Sequence, residues 1–147
     1  MNDKKITING IDIIHRMKDR KYDNQHLIVV FSGFGANGFF TYDFENALSE
    51  CPANIIWIKD DFNSCCSYYC SLDNDLSISD SIFNFIELKL NELSLEREQC
   101  TLIGFSKGGF ASLYFGVKYG FKNIISTVPQ FNIGTYVKKT GLWWLII

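Results

Sequence analysis

Hydrophobic and polar positions follow two different periods along this chain, one typical of strands and one of helices. Residues 27–32, LIVVFS, contain an unbroken run of apolar, mostly β-branched residues, as expected of a central strand that is buried on both faces. Residues 54–59, NIIWIK, predict another short apolar strand. Residues 77–95 instead carry apolar side chains at helical spacing, with Asp80 in the first turn, where the helix dipole favours a carboxylate. Strands that alternate with helices predict a mostly parallel sheet with helices on both faces, an α/β fold.

Weaker patterns complete the predicted order of elements. An Asn-Gly pair between two alternating runs in residues 5–14 predicts an antiparallel hairpin at the N-terminus. Residues 41–51 place apolar side chains on one helical face and predict a helix, and the polar residues 62–75 are predicted to form a surface loop. Residues 123–128 predict a last strand, which Pro129 ends.

The candidate chemistry lies where an apolar strand meets a helical segment. Residues 104–108, GFSKG, fit the pattern G-x-S-x-G, with a predicted buried strand at residues 101–104 and helical spacing after the serine. In such a turn the serine is held in a strained conformation, and the glycines leave room around it. The helix N-terminus favours negative charge on the serine oxygen. We therefore predict that Ser106 is a nucleophile, and a purely structural glycine turn is the alternative.

Composition narrows the possible classes of protein. The chain has 147 residues, of which 47% are hydrophobic and 20% charged, which fits a single globular domain over residues 1–147. A net charge of -2 with scattered basic residues argues against nucleic acid as a partner. The N-terminus lacks the apolar run of a signal peptide, and no stretch approaches the roughly 20 apolar residues of a membrane span. We predict a cytoplasmic protein without a membrane span.

Cysteine and histidine usage gives no pattern for a metal site. Five cysteines, an odd number in a chain without an export signal, argue for reduced thiols. Cys65, Cys66 and Cys70 cluster, but their spacing is no standard zinc pattern, and His15 and His26 are the only histidines. We predict no metal and no cofactor.

The order of elements, with the serine turn in the fourth βα position, resembles the α/β-hydrolase fold over almost the whole chain, with the later strands missing. This resemblance implies an oxyanion hole formed by the backbone N–H of Lys107 and by the loop at Gly33 and Phe34. The strings GFSKGG, SLYFG and PQFNIG are also similar to serine-hydrolase-like proteins of bacterial capsule loci and accessory secretion systems. That narrower resemblance implies acyl transfer, with polysaccharide as a possible substrate.

The resemblance leaves two members of the catalytic triad without a counterpart. In the family an acid and then a histidine follow the nucleophile, whereas residues 107–147 contain no Asp, Glu or His. From the predicted strand directions we expect His15 and His26 on the sheet rim opposite Ser106. A serine without a base is a poor nucleophile at neutral pH.

The final residues, 141–147, read GLWWLII, and such an uncovered apolar end is an aggregation liability. We interpret it as a truncated end, and the alternative is a final segment that packs on the sheet or on a partner chain.

The leading hypothesis is the nucleophile-bearing portion of a serine hydrolase or acyltransferase, inactive as this chain, that forms an acyl-enzyme on Ser106. It would act on a small-molecule or saccharide ester. The alternative is a non-catalytic binding or partner subunit that keeps the turn to hold an acyl or anionic group at the helix N-terminus. A flavodoxin-like nucleotide binder is disfavoured because the chain lacks a phosphate-loop pattern. The acyl group and its acceptor stay open.

Overall fold

The computed structural model describes residues 1–35, 40–62, 66–71 and 76–140. The strands are β1 Lys4–Ile8, β2 Ile11–Lys18, β3 Leu27–Phe31, β4 Asn54–Ile58, β5 Cys100–Phe105 and β6 Asn123–Thr127. The α-helices are α1 Ser77–Glu92, α2 Lys107–Tyr119 and α3 Ile133–Thr140, and a 3₁₀ turn covers Arg97–Gln99. No helix in these described ranges has the length and apolar character that a membrane crossing requires.

The strands form one mixed sheet of six strands in the order β1-β2-β4-β3-β5-β6. The N-terminal hairpin is confirmed: β1 and β2 are antiparallel, and Asn9 and Gly10 turn between them with φ angles of 51° and 80°. β2 continues antiparallel to β4, while β4, β3, β5 and β6 run parallel to one another. This is the predicted α/β-hydrolase-like architecture, and it brings the carboxyl ends of β3, β4 and β5 to the same edge.

Both central strands are buried, as their apolar runs predict. Helices α1 and α2 cover one face of the sheet, where Phe85 and Phe115 pack with Phe31 and other strand residues in the main core. On the opposite face a second cluster surrounds Trp57. The positions of α1, α2 and β6 agree with the predicted helices and last strand to within a few residues.

The helix predicted for residues 41–51 is wrong. Residues 43–50 form consecutive turns, and Phe44 has a φ of 62°, which an α-helix cannot accommodate. The helical spacing had a different origin, because Phe44, Leu48 and Cys51 do pack together against the second cluster. The segment therefore covers the sheet like a helix without being one.

The prediction of a surface loop for residues 62–75 is also wrong for the part that the structure describes. Phe62, Cys66, Tyr68 and Tyr69 are all buried, while residues 63–65 and 72–75 lie outside the described ranges. Polar composition is misleading at this point because a buried carboxylate, that of Asp60, accepts the backbone N–H groups of the loop.

Candidate active site

Ser106 lies on the tight turn between β5 and α2, as predicted. Its φ and ψ angles are 57° and -114°, a region that residues with side chains rarely occupy. Its backbone N–H donates to the carbonyl of Thr127 at 2.9 Å, and its carbonyl accepts from the N–H groups of Phe110 at 3.1 Å and Gln130 at 3.3 Å. These bonds to α2, to the last residue of β6 and to the segment after β6 hold the unusual conformation in place.

Glycines beside the turn allow the helix to approach the sheet closely. A Cβ atom on Gly108 would overlap the carbonyl oxygen of Phe31, and one on Gly104 would overlap the carbonyl of Gly108. The first turn of α2 therefore rests directly on β3 and β5 backbone, which aims its N-terminus at the edge where Ser106 lies.

Ser106 is partly exposed and opens into a cleft with a volume of about 730 Å³. The walls of this cleft include Gly33, Phe34, Asp43, Glu45, Phe105 and Tyr136. Three of the predicted site residues, Ser106, Gly33 and Phe34, are thus brought together at the carboxyl edge of the sheet.

The N–H of Gly33 is engaged within the protein. It donates to Oδ2 of Asp43 at 2.7 Å, and the N–H of Asp43 donates to Oγ of Ser32 at 3.3 Å. The carbonyl of Asp43 in turn accepts from Nε1 of Trp57 at 2.9 Å. Asp43 is a site residue that sequence reasoning missed, since no motif marks it and residues 41–51 were expected to be helical.

Lys107, predicted as a backbone donor, also has a buried side chain. Its Nζ lies 2.8 Å from Oδ2 of Asp60, and the two side chains are 2% and 0% exposed. Burial opposes the charge of Lys107, but the attraction of Asp60 outweighs it and the pKa of the ammonium lies above its ordinary value. The same Nζ lies 4.9 Å from the ring centre of Phe34, so a cation lies beneath the predicted oxyanion loop.

Aromatic side chains connect the loop at Phe34 to the rest of the site. The ring of Phe34 is stacked on that of Tyr136 at 6.4 Å and meets that of Tyr68 edge-on at 5.6 Å. The hydroxyl of Tyr68 donates to Oε1 of Gln130 at 3.1 Å. Burial raises the pKa of Tyr68, which stays a neutral hydrogen-bond donor.

His26 lies on the opposite rim of the sheet from Ser106, as predicted. Its Nε2 is 2.8 Å from Oγ1 of Thr101 at the start of β5, and the five residues from there to Ser106 span roughly 16 Å.

The placement of His15 on that same rim is wrong. His15 lies within β2 rather than after it and pairs with Ile58 at the carboxyl end of β4. It is nevertheless three strand spacings, about 14 Å, from β5, and it is buried with its ring 4.7 Å from that of Phe85.

The cysteines do not form a metal site in the part of the chain that the structure describes. No group of three or more His, Cys, Asp or Glu side chains in those ranges could hold a metal ion. Cys66 is buried and donates to Asp60 at 2.9 Å, and burial raises the pKa of its thiol. Burial also raises the pKa of Cys70, to about 12. Cys65 lies outside the described residues.

The sequence and the fold both have known counterparts. The profile of the accessory Sec system GspB-transporter family matches residues 23–143. No curated protein matches the sequence.

Among solved structures, the capsule O-acetyltransferase of Neisseria meningitidis serogroup A is 23% identical with a TM-score of 0.74, over 92% of this chain and 55% of that one. The Glycosylation Associate Protein (Gap123) complex from Streptococcus agalactiae is 21% identical with a TM-score of 0.73, over 96% of this chain and 26% of that one. The fluorophosphonate-binding serine hydrolase F of Staphylococcus aureus is 14% identical with a TM-score of 0.66, over 92% of this chain and 59% of that one. These likenesses establish the α/β-hydrolase fold, and the chain spans less than two thirds of the length of each of these three proteins.

Proposed function

The chain belongs to the accessory Sec system GspB-transporter family, and we propose that its 147 residues supply the nucleophile-bearing part of a serine hydrolase or acyltransferase. One observation carries the proposal. Ser106 occupies a strained turn at the N-terminus of α2 and opens into the cleft beside the loop of Gly33 and Phe34. Strain of this kind persists only where the surrounding structure enforces it, and it is concentrated at functional sites.

In the proposed reaction Oγ of Ser106 loses its proton and attacks the carbonyl carbon of an ester. The bond between that carbon and the alkoxy oxygen breaks, the alcohol leaves with a proton, and the acyl group stays on Ser106 as an ester. The N–H groups of Lys107 and Phe34 then bind the negative charge that develops on the carbonyl oxygen, aided by the dipole of α2. The N–H of Gly33 was expected to share this role, but it donates to Asp43. We therefore assign Phe34 as the donor from the loop and Gly33 as the residue that shapes it.

Efficient turnover requires a base such as histidine, and neither histidine of the chain lies close to Ser106. Residues 107–147 contain no Asp, Glu or His, and by strand geometry His15 and His26 are both more than about 10 Å away. We propose that the 147-residue chain acylates slowly and deacylates more slowly still, because the base that activates the serine also activates the acceptor. The whole site would then need groups from further sequence or from a partner chain.

A saccharide hydroxyl is the acceptor we propose, with an acyl ester as donor. One structural neighbour is a capsule O-acetyltransferase, and the cleft of this chain combines aromatic walls, Phe34 and Tyr136, with the polar groups of Asp43 and Glu45. Aromatic faces and hydrogen-bonding side chains are suited to the apolar faces and hydroxyls of a sugar ring. We propose that this activity takes place in the cytoplasm. We also propose that a partner chain covers the apolar residues 141–147.

A second candidate function, a non-catalytic binding subunit, is favoured by the bond between Gly33 and Asp43. An internal carboxylate engages part of the loop that a hydrolase would use for its oxyanion. One neighbour is itself a component of a protein complex, so a partner-binding role is compatible with the fold.

Acetylation by 4-nitrophenyl acetate separates the two functions. If Ser106 is the nucleophile, acetyl-Ser106 accumulates because deacylation is slow, while less than one equivalent of 4-nitrophenol per protein is released beyond the spontaneous rate. Peptide mass spectrometry locates the acetyl group, with the exposed Ser49 as the internal reference and Ser106→Ala as the control. Acetylation of Ser106 no faster than that of Ser49 would favour the binding subunit.

A further inference from the structure

Asp60 is a buried carboxylate with an unusual number of hydrogen-bond donors around it. It lies just after β4, and its side chain is 0% exposed. Its oxygens accept from Nζ of Lys107 (2.8 Å), Sγ of Cys66 (2.9 Å), Oγ of Ser67 (2.7 Å) and the N–H groups of Ser67 (3.1 Å), Tyr68 (3.0 Å) and Tyr69 (3.2 Å). Burying a carboxylate this deep in the protein is costly unless it is paired and hydrogen-bonded.

The backbone of the loop is bent around this anion. Tyr68 and Tyr69 have φ angles of 55° and 61°, a left-handed conformation that is uncommon for bulky residues. Successive N–H groups in such a conformation form a concave anion site, and here the anion is the side chain of Asp60. The conformation of the loop and the charge of Asp60 therefore support each other.

Two chains of contacts lead from Asp60 to Ser106. The first is the ion pair with Lys107, the residue that follows the serine. The second runs through the loop: the hydroxyl of Tyr68 donates to the side chain of Gln130 at 3.1 Å, and the N–H of Gln130 donates to the carbonyl of Ser106 at 3.3 Å. Both chains end on backbone that fixes the strained turn.

We propose that Asp60 is a positioning residue for Ser106, which fixes the turn through Lys107 on one side and through Tyr68 and Gln130 on the other. This inference rests on the proposed role of Ser106 as nucleophile. Asp60 is buried and does not touch the cleft, so it acts on the reaction only through the geometry of the turn. The six contacts it accepts supply the support that a strained serine needs from its surroundings.

The central variant is Asp60→Asn, which keeps the shape of the side chain, removes its charge and turns one of its two acceptor oxygens into a donor that faces other donors. Asp12→Asn is the matched control, since Asp12 is an exposed carboxylate in the hairpin paired with Lys5. The double variant Asp60→Asn/Lys107→Met leaves no unpaired charge buried, and it replaces the single variant if that one does not fold.

Two measurements are made on the folded proteins at equal distance below their melting temperatures. Amide hydrogen exchange reports on the N–H groups of Tyr68, Tyr69 and Ser106, and a fluorophosphonate probe gives the maximal labelling rate and the half-saturating concentration. In Asp60→Asn we expect the amides to exchange about tenfold faster and the maximal labelling rate to fall about tenfold. A change of this size corresponds to the loss of one charge-assisted hydrogen bond. The half-saturating concentration stays constant, because the cleft walls are unchanged.

The outcomes separate this inference from the proposed function. Unchanged exchange at these amides, or faster exchange with an unchanged maximal labelling rate, contradicts positioning by Asp60. A higher half-saturating concentration at a constant maximal rate contradicts it as well, since that would place Asp60 in binding. Absence of labelling in the wild-type protein contradicts the role of Ser106 as nucleophile, and the exchange of the Ser106 amide still decides whether Asp60 fixes the turn.

Discussion

The backbone N–H of Gly33 donates a 2.7 Å hydrogen bond to the carboxylate of Asp43, at the edge of the cleft into which Ser106 opens. The carboxylate of Asp43 thus lies beside the loop that we propose to bind an oxyanion. An oxyanion bound at this loop would be repelled by the carboxylate of Asp43. This repulsion is stronger in a partly buried cleft than in water, because the protein screens charges less than water does. Asp43 both anchors the loop and opposes the charge that develops in acyl transfer.

We therefore expect Asp43→Asn to accelerate labelling of Ser106 by a fluorophosphonate. The amide oxygen can still accept from Gly33, while the repulsion is removed, so the rate should rise severalfold. Glu45→Gln is the comparison, because Glu45 lines the same cleft but is paired with Arg16 at 2.8 Å, and its effect should be smaller. A slower or unchanged rate in Asp43→Asn would mean that the anchor matters more than the charge.

Gly108→Ala should prevent the helix from seating on the sheet. The added Cβ would overlap the carbonyl oxygen of Phe31, which is β3 backbone and cannot move aside. We expect a loss of about 3 kcal/mol or more in the free energy of unfolding, at the upper end of overpacking effects. Gly134→Ala is the control, as nothing lies within 4 Å of a Cβ there, and it should change stability by less than about 0.5 kcal/mol. Equal effects in urea denaturation would contradict the close approach.

The strain at Ser106 predicts an inverted order of stability for two substitutions. Both Ser106→Gly and Ser106→Ala remove the hydroxyl, but only glycine adopts a φ of 57° without cost. The glycine variant should be more stable by about 1 kcal/mol. Glycine relieves the strain in the folded state, and this gain exceeds the cost of the greater conformational entropy of glycine in the unfolded chain. At Ser126, in β6, where φ is not positive, the same pair should show the usual order, with alanine more stable. Alanine more stable at both positions would mean that the turn is unstrained.

Stability should fall as His15 becomes protonated. Burial lowers the pKa of His15 below its ordinary 6.5, since the charged ring is poorly tolerated beside Phe85. The unfolded chain then binds a proton more readily than the folded one, so stability is complete above pH 6.5 and is lost as the pH falls through the folded-state pKa.

The check is the free energy of unfolding of wild type and His15→Gln from urea titrations between about pH 5 and 7.5. The stability of the variant should depend less steeply on pH in this window. Some dependence should remain because burial also lowers the pKa of His26. Below this pH range, stability is also lost as paired carboxylates become protonated. One of these is Asp80, because hydrogen bonds from Tyr119 and Lys118 lower its pKa. This loss should be the same in both proteins. Identical slopes would show that the pKa of His15 is the same in the folded and the unfolded protein, which contradicts the effect of burial.

Local patterns were sufficient for most of the fold. The runs in β3 and β4, the Asn-Gly turn and the spacing in α1 each depend on residues close in sequence, and their positions follow the hydrophobic period. The turn at Ser106 could be predicted for the same reason, because strand, glycines and helix are contiguous. The conformation of residues 43–50 could not be predicted in this way. Their apolar side chains pack at helical spacing, while the backbone of Phe44 is left-handed.

The surroundings of Ser106 depend on contacts between distant parts of the chain. Asp60 and Lys107 are 47 residues apart, and Asp60 also accepts the N–H of Tyr68 in the buried loop. Nothing in a single sequence marks an aspartate after a strand as the acceptor for a later lysine. Asp43 escaped prediction for the same reason, as its partner Gly33 lies in a different element.

The most direct measurement of the central claim is the site at which a fluorophosphonate reacts with the 147-residue protein. Intact-protein and peptide mass spectrometry are compared for the native protein, the urea-denatured protein and Ser106→Ala. We predict one slowly formed adduct on Ser106, present only in the native wild-type protein, because the turn and its N–H donors raise the reactivity of this serine while neither histidine lies close enough to assist it. No adduct, or an adduct that forms equally in denatured protein, would contradict the claim that this fold prepares Ser106 as a nucleophile.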